Sequence, residues 1–199
     1  MSKPMRDFTN GELQWKPWVA PLDITTATQE QLSALKITPS NRVVGAYSLV
    51  LAHDPEALNE RSPLYNGIMF GTKGLARADR ELGAVAASRI NGCSYCASVH
   101  ALRFTQLSKQ PEVMERIQAD GVEAELEPRL KAILDYSAKL TRDPTSIAPA
   151  DAEPLRAQGL SDLEILDLTH AVVSLSQLIA YVNFQSRVLA GLRMLKGAA

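Results

Sequence analysis

The sequence predicts an all-α protein, on three observations. Apolar residues recur at helical spacing along most of the chain. Nowhere do four or more positions alternate between apolar and polar with turn signals on both sides, as half-buried strands would. Helix-ending and helix-starting signals punctuate the pattern: Asn91-Gly92, Asp143-Pro144, and Ser161 followed three positions later by Glu164. With 199 residues, 46% of them hydrophobic and 22% charged, the chain is long enough to bury a core and has the composition of an ordinary soluble globular protein.

The elements follow in order. Residues 1–27 read as an irregular arm, broken by Pro4, Pro17 and Pro21, with Trp15 and Trp18 expected to lie across an apolar surface of this chain or of a partner. Residues 28–199 are expected to form one helical-bundle domain, its chemistry concentrated in residues 75–108. Thr28 to Lys36 reads as a short helix closed by Pro39. Ser40 is expected to cap the next helix, carrying Val43, Val44, Tyr47, Val50 and Leu51. Pro55 fits the first turn of another helix, running past Ser62-Pro63 to Met69 and Phe70. Arg77 opens an alanine-rich helix that stops at Asn91-Gly92, and Cys93 to Ser108 forms the next. Gln110 to Gly121 reads as a polar stretch. Pro128 starts a helix that ends at Asp143-Pro144, and a short one over Pro149–Arg156 is broken by Gly159. The capping box from Ser161 to Glu164 opens the long last helices, through Leu168, Val172, Leu175, Ile179, Val182, Val188 and Leu192.

Composition narrows the function. A net charge of −1 and a pI near 6.3 give no global field toward nucleic acid. No apolar run approaches the roughly 18 residues needed to cross a bilayer, and no secretory signal follows the charged start, so a cytoplasmic protein without a membrane partner is expected. Two cysteines within four positions of each other cannot build the disulfide framework of a secreted domain. In a cytoplasmic chain such a pair points to redox or metal chemistry.

The pair sits in a constellation: Glu81, then Cys93-Ser-Tyr-Cys96, then His100. At the start of a helix, both thiols meet the positive end of the macrodipole and unpaired backbone N–H groups, which lower a thiol pKa from about 8.5 toward neutrality. Their i,i+3 spacing brings the sulfurs close enough to close a disulfide after modest adjustment. His100 lies one helical turn from Cys96, placed to take the thiol proton and return it. If Asn91-Gly92 folds the two helices into an antiparallel hairpin, Glu81 falls opposite His100, where a carboxylate orients the ring as in a catalytic triad. The division of labour stays open. Position at the helix start favours Cys93 as the more exposed and acidic sulfur, whereas the His100 spacing favours Cys96.

Other chemistries fit these residues less well. Structural zinc wants four ligands; only Cys93, Cys96 and His100 are local, and Glu81, His53 or His170 would have to complete the set, so ligand count argues against a metal. A thioredoxin-like fold needs βαβ units, and none is visible. His53 reads as a helix-end residue, His170 as a packed core residue, and Tyr95 as a lid over the thiols in preference to a proton donor. The 19-residue spacing of Glu81 and His100 recurs between Glu164 and Asn183, with Ser176 and Ile179 where the cysteines would be. A decayed repeat and coincidence both fit that spacing.

The pattern E-x₁₁-C-x₂-C-x₃-H formed by Glu81, Cys93, Cys96 and His100 resembles the AhpD-like alkylhydroperoxidase core of the carboxymuconolactone decarboxylase superfamily. Similarity extends over residues 40–192. Leu140-Thr-Arg-Asp-Pro144 and Gly159-Leu-Ser-Asp-Leu-Glu-Ile165 look like the peroxidase-related subgroup. The resemblance implies an all-helical homo-oligomeric enzyme that reduces organic hydroperoxides, with no cofactor beyond its redox-active disulfide. It implies Cys96 as the peroxidatic thiol, Cys93 as the resolving thiol that then meets the external reductant, and His100 with Glu81 as the proton relay. It also implies a dithiol reductant, which in well-known members is dihydrolipoamide on a carrier protein. Tyr95 stands where those members have a second histidine, which removes one group from the implied relay. The superfamily's decarboxylases generally lack this cysteine pair, so the resemblance points away from γ-carboxymuconolactone decarboxylation. Homo-oligomerisation is expected independently, since Trp15, Trp18 and the apolar last helices offer more surface than one small bundle buries. The rival readings are another thiol–disulfide oxidoreductase, an acid–base lyase on His100 and Glu81, and a non-catalytic redox-sensing oligomer.

Overall fold

The computed structural model describes residues 8–11, 19–36 and 44–176. Among them every regular element is a helix and no strand occurs. The chain divides into two compact units: residues 1–13 with 68–181, and residues 14–67 with 182–199. Trp15, Trp18, Ser40, Val43, Ile179, Val182, Asn183, Val188 and Leu192, on which several expectations rested, lie outside the described residues.

The second unit contains α1 (Gln29–Ala34), α2 (Ala46–Leu51) and most of α3 (Pro55–Phe70). Thr28 and Gln31 form a reciprocal capping box at the start of α1. The first described residue capping α2 is Gly45, so Val44 precedes the helix rather than lying on it. A small core of Ala34, Ala52 and Leu58 gathers Leu22, Leu35 and Leu51. His53, just past α2, sets Nε2 2.8 Å from the Ala20 carbonyl oxygen, the helix-end role expected of it.

The first unit is built around α4 (Arg77–Ile90), which packs on both α5 (Ser94–Ser108) and α7 (Pro128–Arg142). Ten consecutive α4 residues, Asp79 to Ser88, are buried, so this helix is enclosed on all sides. Close approach is possible because its faces are small. A Cβ on Gly83 would lie 2.7 Å from Leu168 Cδ1 and 3.1 Å from Ser137 Oγ, so only glycine fits between α4, α7 and the final described helix, α9 (residues 162–176). The capping box of α9 forms as expected: the Glu164 backbone N–H donates to Ser161 Oγ, and Glu164 Oε2 accepts from the Ser161 N–H. Glu164 is therefore a capping residue. His170 is exposed rather than packed, because the buried stripe of α9 runs through Ile165, Leu168, Ala171, Val172 and Leu175 on the opposite side.

Between α5 and α7 the structure holds a helix that the sequence reading passed over as polar: α6 (Pro111–Asp120). Pro111 occupies its first turn, where a missing N–H costs nothing, and Val113, Met114 and Ile117 form a narrow buried stripe. Past a 3₁₀ turn at Pro149–Ala152, α8 (Glu153–Ala157) ends before Gly159, whose φ of +81° only glycine adopts readily. In the arm, Phe8 is fully buried with the Arg89 guanidinium 4.9 Å from its ring centroid, and the Thr9 N–H donates to Ser98 Oγ at 3.0 Å.

Candidate active site

The hairpin of α4 and α5 turns over three residues, Asn91 to Cys93. Asn91 ends α4, and Gly92 takes a φ of +71°. The Gly92 N–H donates to the Arg89 carbonyl and the Cys93 N–H to the Ser88 carbonyl, the paired bonds of a Schellman motif. Cys93 is at once the residue that closes α4 and the N-cap of α5, where its Sγ accepts the Cys96 backbone N–H at 3.2 Å. Ser94 is the first α5 residue, so Cys93 stands just ahead of the helix and Cys96 in its first turn.

The two cysteines are joined by a disulfide, with Cα atoms 5.3 Å apart, inside the ordinary range for such a bond. Their burial reverses the expectation drawn from position. Cys93 is 4% exposed, whereas Cys96 is half-buried. A residue between two helices is enclosed by both, whereas the first turn of α5 carries Cys96 round toward solvent. Cys93 is therefore the enclosed sulfur and not the more exposed one.

One turn below Cys96, His100 is buried at 7% exposure, and its Nδ1 lies 2.5 Å from Glu81 Oε2. The hairpin thus brings together the carboxylate and the imidazole that the sequence spaced 19 positions apart. Glu81 is fully buried. Burial pushes its carboxyl toward the neutral form, but the hydrogen bond and charge of His100 and the charge of Arg77 outweigh this and hold its pKa below the ordinary 4.5. With Nδ1 engaged, Nε2 is the ring nitrogen left to exchange a proton. Tyr95 is half-buried between the cysteines.

Two further residues position the site, and the sequence reading gave neither a role. Arg77, one turn before Glu81 on α4, donates Nε to Glu81 Oε1 at 2.6 Å and also pairs with it through Nη2. Asp167 on α9 fixes the start of α4. Its Oδ2 accepts the Leu75 N–H at 3.0 Å and the Arg80 Nη2 at 2.9 Å. Arg80, 1% exposed, also donates to the carbonyls of Ile68, Gly71 and Lys73. Gly74 makes this possible: a Cβ there would meet Asp167 Oδ2 at 2.0 Å. The i,i+4 spacing of Arg77 and Glu81 was a readable signal; the Asp167 contact, 92 positions from Leu75, was not. Among the described residues no three His, Cys, Asp or Glu side chains converge as metal ligands, and no helix is long and apolar enough to cross a membrane.

Fold and site define a class: an all-helical protein with a C-x-x-C disulfide opening a helix and a buried histidine–carboxylate pair one turn below it. Residues 55–139 match the Carboxymuconolactone decarboxylase family. A solved structure from Ralstonia eutropha, described as an alkylhydroperoxidase AhpD core and an uncharacterized peroxidase-related protein, shares the fold with a TM-score of 0.74 at 22% identity, over 86% of this chain and 91% of its own. An uncharacterized peroxidase-related protein from a Silicibacter species matches at 29% identity with a TM-score of 0.70, over 84% of this chain and 90% of its own. No curated protein matches the chain. Residues 55–139 thus resemble the carboxymuconolactone decarboxylase family, and the chain shares its fold with AhpD-like, peroxidase-related structures.

Proposed function

We propose that the protein is a thiol-dependent hydroperoxide reductase of the peroxidase-related subgroup, cycling the Cys93–Cys96 disulfide with His100 and Glu81 as its proton relay. The observation that carries this reading is the buried Glu81–His100 contact one helical turn below a disulfide-bonded cysteine pair. In the reduced protein, His100 Nε2 takes the Cys96 proton and the thiolate attacks a peroxide oxygen. An S–O bond forms, the O–O bond breaks, and the leaving alkoxide takes a proton to become an alcohol. Cys93 then attacks the Cys96 sulfenic acid, expelling hydroxide that leaves as water and closing the disulfide. A dithiol, whose own disulfide is the product, restores both thiols. The half-buried Cys96 is the sulfur a peroxide reaches first, which supports its attacking role and the resolving role of the enclosed Cys93.

Stopped-flow oxidation of the reduced protein by an organic hydroperoxide, followed by mass spectrometry, tests the reading against an acid–base lyase or a passive sensor. Cys93→Ser should consume one equivalent of peroxide and stop at a sulfenic acid that dimedone traps on Cys96. Cys96→Ser should react no faster than a free thiol. Dimedone label appearing rapidly on Cys93 in Cys96→Ser would reverse the assignment. A parent protein as slow as a simple thiol would remove the peroxidase reading altogether.

A further inference from the structure

Arg77 stands at the site with no part in the cycle as written, and its geometry gives it one. The two oxygens of the fully buried Glu81 carboxylate are divided between two partners. Oε1 accepts from Arg77 through both Nε and Nη2, and Oε2 faces His100 Nδ1. Arg77 is itself held in place. Its guanidinium carbon lies 3.9 Å from the ring centroid of Phe70, at the end of α3, and a quarter of its side chain is exposed. The backbone following Phe70 is fixed in turn, since Arg80 grips the carbonyls of Gly71 and Lys73. A carboxylate turns about a broad, two-fold terminal torsion, so one hydrogen bond to His100 would not by itself set its plane. Two donors of a rigid guanidinium fork on one oxygen do set it.

We propose that Arg77 is a positioning residue of the relay: by holding Oε1 of Glu81 it aims Oε2 at His100 Nδ1, and so fixes the tautomer that leaves Nε2 bare in the neutral ring. A carboxylate oxygen only accepts, so a proton must lie on Nδ1 between them. The catalytic consequence rests on the hydroperoxide-reductase reading. The tautomer itself does not.

The test uses Arg77→Met, which keeps an apolar stem against Phe70 and drops the fork, and Arg77→Lys, which keeps the charge on a single donor centre. The first readout is ¹⁵N NMR of the imidazoles in the reduced full-length protein at a pH where the His100 ring is neutral; variants of His53 and His170 assign the three histidines. The parent should show His100 protonated on Nδ1, Arg77→Met a mixture of both tautomers, and Arg77→Lys an intermediate share. The second readout is the rate of Cys96 oxidation by peroxide. It should fall about tenfold in Arg77→Met, a fraction of the roughly 10²–10⁴ that a general base supplies, and recover in part in Arg77→Lys. A pure Nδ1–H tautomer in Arg77→Met, with only a lower unfolding midpoint, would overturn the proposal and leave Arg77 a structural ion pair. Should Arg77→Met fail to fold, Arg77→Lys decides: a tautomer distribution identical to the parent's overturns the proposal. A slow parent counts against the peroxidase reading alone, because the NMR comparison still decides the role of Arg77.

Discussion

Replacing Glu81 by glutamine keeps the shape of the side chain and reverses what one of its ends can do. Glu81 offers two acceptors, Oε1 to Arg77 and Oε2 to His100 Nδ1. An amide offers one acceptor and one donor group. Arg77 has only donors, so it must keep the oxygen, and the amide NH₂ is left facing Nδ1. The opposite orientation would set NH₂ against a half-buried guanidinium, and a hydrogen bond to a charged group is roughly twice as strong as a neutral one. Facing a donor, Nδ1 has to accept, which moves the ring proton to Nε2 and removes the base that Cys96 requires. The expected loss is the whole general-base contribution, about 10²–10⁴-fold in the rate of Cys96 oxidation, or about 3–5 kcal/mol of barrier. Helix content should remain that of the parent, because no cavity is made. Stopped-flow oxidation gives the rate and ¹⁵N NMR of His100 gives the tautomer. A Glu81→Gln protein with the Nδ1–H tautomer and a rate within a few-fold of the parent would refute the reasoning.

Two further outcomes concern the fold beneath the site. Gly83→Ala gains about 1 kcal/mol of helix propensity but sets a methyl 2.7 Å from Leu168 Cδ1 and 3.1 Å from Ser137 Oγ, both on fully buried residues. Overpacking of this kind costs about 1–3 kcal/mol, so the urea midpoint should fall, and an unchanged or raised midpoint would mean that α4, α7 and α9 can separate freely. The second outcome is a pH dependence. Because the folded pKa of Glu81 lies below its ordinary 4.5, its ionised form stabilises the native state above that pH, and the contribution fades as pH falls from about 4.5 through the folded value. The stability gap between parent and Glu81→Gln, measured by denaturant titration, should therefore narrow below pH 4.5; a gap that widens there would contradict the assigned direction.

The legible parts of this protein were those encoded locally. Pro128, Asp143-Pro144, the Ser161–Glu164 box and Asn91-Gly92 each act within one turn of backbone, and the helices begin and end where they say. Glu81 and His100 were legible because a tight helical hairpin turns sequence distance into a predictable cross-helix partner. What escaped the sequence had other causes. In α6 only Val113, Met114 and Ile117 form the buried stripe, too narrow a pattern to stand out among charged neighbours. The α9 periodicity fixed which side chains alternate but not which side meets α4, and so His170 was assigned to the wrong face. Asp167 binds Arg80 across 87 positions, and no local rule pairs residues so far apart. The order of exposure in the thiol pair was misread for a related reason. The i,i+3 spacing places two sulfurs together without saying which of them a preceding helix encloses.

That enclosure bears on how the proposed cycle closes. Cys93 closes α4 and caps α5 with one backbone, so its sulfur is enclosed rather than in solvent, and it accepts the Cys96 N–H even while disulfide-bonded. A dithiol arriving from solvent meets the half-buried Cys96 first. Attack there forms a mixed disulfide on Cys96 and expels Cys93 as a thiolate, at a helix N-terminus whose dipole and backbone donor stabilise that charge. In the proposed cycle Cys93 is therefore the leaving group of the reductive half, and the same sulfur resolves the sulfenic acid in the oxidative half. The peroxide-facing half needs the opposite arrangement, an accessible sulfur with a base at hand, and Cys96 has His100 one turn away. One turn of α5 thus separates an enclosed sulfur that accepts a backbone N–H from a more exposed sulfur with His100 one turn away, and the two halves of the proposed cycle call on them in turn.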